Sequence, residues 1–299
     1  MFLIKPKLIV VLKGGIGNQL FQYAFAQKLA LHNNCELLID TFSGFILDFK
    51  IKRKYELYHF NIENEKANIF HIILYWLTKV YNYLFKLVLK KPCEQNTFFN
   101  FIFENSLHYS NIYLSRKIDK LTWVEGYWQS YKYFDDLNLN KSLLFKTKLP
   151  LEITSLGLKI KSENSIAICI RLYEEAVNPN IQSINGKLKS YEELNNIISI
   201  LSKNITNPIF YIFTMNKYNV MDKVLTPKDS TYYITADNNF KNTNEALWLQ
   251  SQCKHHIITN STFYWWGAWL SKSNHKDQII YVDKNFLNQD ILYNEWIKY

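Results

Sequence analysis

Apolar residues recur along the chain in two rhythms. Short, nearly unbroken apolar runs at Lys7–Lys13, Glu36–Asp40, Ser165–Arg171, Ile209–Thr214, Tyr232–Thr235, His256–Thr259 and Gln278–Val282 suit strands buried on both faces. Between them, Leu20–Leu31, Ser190–Leu201, Thr243–Cys253 and Ser261–Ser271 carry apolar residues at helical spacing. Ser190 and Glu193 spell a capping box ahead of Tyr191, Leu194, Ile198 and Leu201. Strands alternating with helices of this length predict an α/β protein with parallel, doubly wound sheets, and such sheets bind ligands at the carboxyl ends of their strands. Lys141–Ser165, with a proline and many polar residues, reads as a crossover between an N-terminal domain, 1–150, and a C-terminal domain, 151–299. A C-terminal helix is expected to pack back on the first domain.

Asn68–Leu89 is the most apolar long stretch. Lys79 and Lys86 interrupt it, which argues against a membrane span. Two readings stand for it: a core helix, or an interfacial helix whose lysines meet anionic lipid.

Two turns stand out chemically. Gly14-Gly15-Ile16-Gly17-Asn18-Gln19 joins the first strand to the first helix. Glycines there allow a tight turn and close approach of a ligand, but the run matches neither the dinucleotide fingerprint nor the phosphate loop with its lysine. Asn260, Ser261 and Thr262 join a strand to the aromatic helix Phe263–Leu270. Free N–H groups and the positive end of the helix dipole, with hydroxyls beside them, make an anion site or a plain N-cap.

The formal charge of +9 favours acidic partners such as nucleotide phosphates or an anionic membrane surface. No basic cluster is interleaved with aromatics as nucleic-acid binding would require. The four cysteines are scattered without a CxxC pair, so no zinc site or disulfide framework is expected, and a reducing cytosol fits. The N-terminus lacks a signal-peptide core. His255 and His256 would face opposite ways on a strand and make poor joint metal ligands. No metal site is expected. Trp265, Trp266 and Trp269, at helical spacing, are read as core.

GGIGNQLFQYAFAQKLA at Gly14–Ala30, GYWQSYKYF at Gly126–Phe134 and LWLQSQCKHHIITNSTFYWWGAWL at Leu247–Leu270 resemble bacterial α-1,2-fucosyltransferases of glycosyltransferase family 11, in the family's order and separations. The likeness runs from about Leu8 to Trp296. It implies a GT-B fold, two Rossmann-like domains facing across a cleft, the first on the acceptor side and the second binding the nucleotide sugar. It also implies a GDP-fucose donor substrate, no cofactor, inversion without a metal, and a glycan acceptor such as a lipid-linked O-antigen unit. A cytoplasmic enzyme follows, with peripheral contact to the anionic inner membrane.

By this resemblance Arg171 holds the donor's diphosphate. It ends the strand IAICIR, and its planar fork suits paired phosphate oxygens. Asn260, Ser261 and Thr262 join it, and Gly15, Gly17 and Asn18 reach the donor from the first turn. Glu174 and Glu175, the nearest acids after Arg171, are candidates for the base that activates the acceptor hydroxyl. Tyr127, Trp128 and Gln129 are candidates to line the acceptor side. The chain departs from the family's HxRxGD, reading Cys169-Ile170-Arg171-Leu172-Tyr173-Glu174. Thr214-Met215-Asn216 stands where the family has acids, and Ala246 replaces an Asp, with Glu245 beside it as a substitute contact to the base. Another nucleotide-sugar donor and a non-catalytic glycan or nucleotide binder are therefore the rival readings.

Overall fold

A computed structural model describes residues 5–49, 51–89, 100–171, 191–236, 239–275, 277–284, 286 and 288–299, with 85–89 by backbone alone. The chain divides into two compact units, Met1–Lys146 and Thr147–Tyr299.

The first unit holds strands β1 (Lys7–Val11), β2 (Glu36–Asp40), β3 (Asn100–Phe103) and β4 (Thr122–Glu125), with helices α1 (Ile16–His32) and α2 (Ile69–Leu89). All pairings are parallel, in the order β2-β1-β4-β3. β1 stops short of Lys13 because the Lys13 backbone turns to the side chain of Gln22, which accepts its N–H at 2.9 Å and donates to its carbonyl at 3.1 Å. Ile9, Val11, Leu38, Tyr75 and Trp123 form the buried core between sheet and α2. Helix α2 therefore packs through one face, and Lys79 on its inner side pairs with Glu125 at 2.6 Å.

The second unit holds α3 (Leu151–Ser162), β5 (Asn164–Cys169), α4 (Tyr191–Asn204), β6 (Pro208–Thr214), β7 (Thr231–Thr235), α5 (Thr243–Gln252), β8 (His255–Ile258), α6 (Thr262–Ser271), β9 (Ile280–Val282) and β10 (Ile297–Lys298). Its parallel sheet runs β10-β9-β8-β5-β6-β7. Counted within the unit from its other edge, this is the 3-2-1-4-5-6 order of dinucleotide-binding sheets. The chain leaves β5 toward β6 and leaves β8 toward β9, so the winding reverses between β5 and β8. Ile166, Ile168, Phe210, Ile212 and Ile257 from the sheet bury against Leu194, Ile198 and Leu201 of α4. Each such side chain stabilises the fold by roughly 1.5–3 kcal/mol.

The expected α/β class with Rossmann-like parallel sheets is what the structure has. Two expectations change, and the Ser190–Glu193 capping box is not among the described features. The crossover segment contains α3, which starts directly after Pro150. Gly157 in its middle makes room for Trp248 of α5, whose ring a methyl there would overlap. Near the C-terminus Ile297–Lys298 form β10 in the second sheet, where a helix was expected. Ser190 lies outside the described residues, and the Glu193 carboxylate pairs with Lys284 at 3.7 Å.

Candidate active site

In the second unit the sequence places Arg171 two residues beyond the end of β5, at the carboxyl edge and at the point where the sheet order reverses. Ligands of such sheets sit in that crevice. The strand end is tied down on both sides. The Arg171 N–H donates to Thr259 Oγ1 at 2.9 Å, and that hydroxyl donates in turn to the Cys169 carbonyl at 3.0 Å. Toward β6, the Ile170 N–H donates to the Phe213 carbonyl at 3.0 Å. From α6, the Tyr264 hydroxyl donates to the Ile170 carbonyl at 3.0 Å.

Asn260, Ser261 and Thr262 follow Thr259 directly, so they occupy the same edge as Arg171. Ser261 is the N-cap of α6, yet its side chain makes no capping hydrogen bond, and the first turn contains no acid. The helix start thus keeps the positive end of its dipole with no acid in its own first turn. Behind it, Trp265 and Trp266 are fully buried and the Trp265 ring N–H donates to the Ile291 carbonyl at 2.7 Å. These rings are core, as their spacing predicts.

Glu245 is a correction. It is buried, and its carboxylate accepts from the Lys241 N–H at 2.8 Å, the Asn242 N–H at 3.3 Å and the Asn242 side chain at 2.8 Å. Burial raises its carboxyl, but these hydrogen bonds outweigh it and hold the group below its ordinary value. Glu245 closes the capping box of α5, so its carboxylate is already engaged by the backbone and side chain of its own helix start. Instead, Thr214 Oγ1 and Asn244 Oδ1 are buried at the same carboxyl edge with no partner among the described residues. Glu174 and Glu175 lie outside the described residues.

His255 and His256 are structural. His256 contacts the Gln250 carbonyl through Nε2 at 3.0 Å, and His255 Nδ1 accepts the Ile279 N–H at 3.0 Å. Burial holds them down to about 4 for His255 and about 3 for His256, so both are neutral near pH 7. Among the described residues no three His, Cys, Asp or Glu side chains converge as a metal site.

In the first unit the glycine turn is fixed by α1 itself. Gly14 has φ +76°, the left-handed region that glycine reaches without strain, and Gly15 caps α1. Gln19, fully buried, donates to the Gly14 and Lys54 carbonyls at 2.9 Å each and accepts the Glu56 N–H at 2.9 Å. This clamp carries residues 53–56 to the turn. A methyl at Gly15 would lie 3.3 Å from a guanidinium nitrogen of Arg53, so that cation sits against the start of α1. No carboxylate pairs with it among the described residues. Gly17 is buried in the first turn of α1. Asn18 Oδ1 accepts from the Gln129 side chain at 3.0 Å, joining two of the predicted residues.

Trp128 is the second correction. It has φ +55° and is fully buried, stacked on Phe25 with centroids 4.0 Å apart. Glu104 holds the bend by accepting the N–H groups of Tyr127 at 2.6 Å and Trp128 at 2.8 Å. Trp128 therefore lines no surface, whereas Tyr127 is partly exposed, with Lys13 over its ring at 5.0 Å. Glu125, at the end of β4, is gripped by Lys79, by Lys13 at 3.6 Å and by the Tyr75 hydroxyl at 3.0 Å. Burial alone would raise its carboxyl; these partners, Lys79 foremost, bring it below its ordinary value.

Sequence reasoning missed Thr259, Tyr264, Gln19 and Arg53. Only Gln19 and Gln22 left a signal, as polar residues set among the apolar Ile16, Leu20, Phe21 and Phe25.

A family model for glycosyl transferase family 11 matches residues 7–299. The chain belongs to that family. This family 11 enzyme is a glycosyltransferase. It is 26% identical over 273 residues to an alpha-1,2-colitosyltransferase of Escherichia coli, covering 88% of this chain and 87% of the relative. It is also 26% identical over 287 residues to the O-antigen biosynthesis glycosyltransferase WbnK of Escherichia coli, covering 87% and 89%. The fold matches that of a mutant of Arabidopsis thaliana FUT1 in complex with GDP, with TM-score 0.52 and 11% identity over 93% of this chain and 70% of that one. The fucosyltransferase NodZ from Bradyrhizobium gives TM-score 0.52 at 12% identity, covering 89% and 93%.

Proposed function

We propose that this glycosyltransferase moves fucose from GDP-fucose to a galactose-type residue of a bacterial surface glycan such as an O-antigen unit, in the cytoplasm. The linkage is α-1,2, formed with inversion and without a metal. The observation that carries the reading is the place of Arg171, at the reversal point of the sheet and tied through Thr259 to the turn that starts α6. As the sugar–oxygen bond breaks, negative charge collects on the departing diphosphate. A guanidinium fork and the amide dipoles of α6 stabilise that charge from fixed positions, with Asn260, Ser261 and Thr262 adding donors. Glu174 and Glu175 are kept as the proposed bases, and the double Gln variant tests them: undiminished transfer removes both. In the first unit, Gly15, Gly17 and Asn18 with Arg53 offer donors to substrate oxygens, and Tyr127 and Gln129 are the proposed acceptor-side groups.

The relatives support the reading by name and fold: one is an O-antigen glycosyltransferase, and the fold is shared with fucosyltransferases, one of them bound to GDP. A second reading keeps the reaction and changes the donor to a colitosyl nucleotide. The colitosyltransferase relative favours it.

The test incubates pure protein with a panel of nucleotide sugars in EDTA and follows nucleotide release with and without galactosides. Galactoside-dependent release from GDP-fucose is expected, with the product anomer read by NMR. Release from another nucleotide sugar alone replaces the donor. Activity that EDTA abolishes removes metal independence. Binding without turnover across the panel points to a non-catalytic binder. Arg171→Lys is expected to cripple turnover, since one ammonium cannot reproduce the fork.

A further inference from the structure

The outer face of α2 lies bare. Ile69, Ile73, Leu77, Val80 and Leu84 follow one another at three- and four-residue steps, and all are exposed, Ile69 by 69% and Leu77 by 60%. His71, Tyr75 and Thr78, on the opposite side, are buried. The helix is thus amphipathic with both faces apolar in part: the inner one packs on the sheet, and the outer one packs on nothing among the described residues. Single exposed apolar side chains are ordinary, but a continuous stripe along a helix of 21 residues marks an interaction surface.

Charge selects the partner. From Lys66 to Cys93 the sequence contains five lysines and no acid, and of these Lys79 is turned inward to Glu125. The unit that carries α2, residues 1–146, has 19 Lys and Arg against 12 Asp and Glu, whereas residues 147–299 have 16 against 14. Most of the net positive charge therefore belongs to the unit with the bare stripe. A second copy of this chain would bring two cationic segments together, which disfavours self-association. An anionic bilayer accepts both features, burying the stripe at the acyl boundary while lysines meet lipid phosphates. No described helix is long and apolar enough to cross a membrane, so the contact is interfacial.

We propose that the outer face of α2 docks the enzyme on an anionic lipid bilayer. The test is flotation of the purified protein with phosphatidylcholine vesicles, with and without phosphatidylglycerol, at low and high salt. It needs no substrate, so its result stands apart from the donor assignment. The wild-type protein is expected to float with the anionic vesicles only, and less at high salt. The triple variant Ile73→Ser, Leu77→Ser, Leu84→Ser is expected to bind at least about tenfold more weakly, with an unchanged thermal melt because all three side chains are at least half exposed. Failure of the wild type to float overturns the proposal. So does equal flotation of the variant, or flotation indifferent to phosphatidylglycerol. A wild-type dimer in sedimentation that the triple variant dissolves also overturns it, in favour of a second copy.

Discussion

Thr259→Val probes how the candidate site is held. Thr259 Oγ1 accepts the Arg171 N–H at 2.9 Å and donates to the Cys169 carbonyl at 3.0 Å. Valine keeps the β-branched shape and its rotamer preference while removing both bonds. The two losses differ. The Cys169 carbonyl still accepts the Thr259 N–H at 3.2 Å, so its loss is small. The Arg171 N–H keeps no hydroxyl to donate to, and an unsatisfied donor costs about 1–3 kcal/mol. A net loss of about 1–2 kcal/mol follows, and at about 2–4 °C per kcal/mol for a unit of this size the melt falls by about 2–8 °C. Calorimetry of Thr259→Val and Thr259→Ser reads this directly, and donor KM and kcat read the loosened Arg171. Serine restores the hydroxyl and should recover most of both. A valine variant that melts and turns over like the wild type refutes the reasoning. So does a serine variant as damaged as the valine one.

Arg53→Ala should leave the melt almost unchanged, since no ion pair holds the side chain among the described residues, and should lower kcat/KM about tenfold or more as one charge-assisted contact is lost. Unchanged kinetics would remove Arg53 from the site. Gln19→Leu deletes three hydrogen bonds and strands the Glu56 N–H, so urea denaturation should show a loss of about 2–4 kcal/mol; a loss below half a kilocalorie would contradict the clamp. His256, held down to about 3 by burial, stays neutral in the fold while the unfolded chain protonates near pH 6.5. Its contribution is complete above about pH 6.5 and is lost on acidification at up to about 1.4 kcal/mol per pH unit, until about pH 3. His256→Gln should flatten the fall in urea midpoint between pH 6 and pH 5, and an identical slope in both proteins would exclude it.

The alternation of buried runs and helical stretches was enough to read the parallel sheets, because strands covered on both faces need unbroken apolar sequence. The short strands Asn100–Phe103 and Thr122–Glu125 escaped, being too brief to show a period. Helix α3 was hidden by Pro150 and Gly157, residues that ordinarily mark loops; here one starts the helix and the other admits Trp248. The places of Arg171 beyond a strand end and of Asn260–Thr262 at a helix start were legible because such ends carry local signals. Trp128 was not: the positive φ that turns it inward depends on Glu104, 24 residues away. Arg53 was illegible for a similar reason, since the Gln19 bonds that bring it to the turn bridge up to 37 residues. The Asn242-x-x-Glu245 box, by contrast, is spelled in the chain at the spacing that a capping box needs.

Three consecutive-looking glycines invite the picture of a floppy hinge, but the hydrogen bonds around Gly14 and Gly15 oppose it. Gln22 holds the segment before the turn and Gln19 the turn itself, both from the helix that follows. Backbone shape and not mobility is what glycine supplies here. Any ligand of this loop would find it already set, with little configurational freedom left to be surrendered on binding.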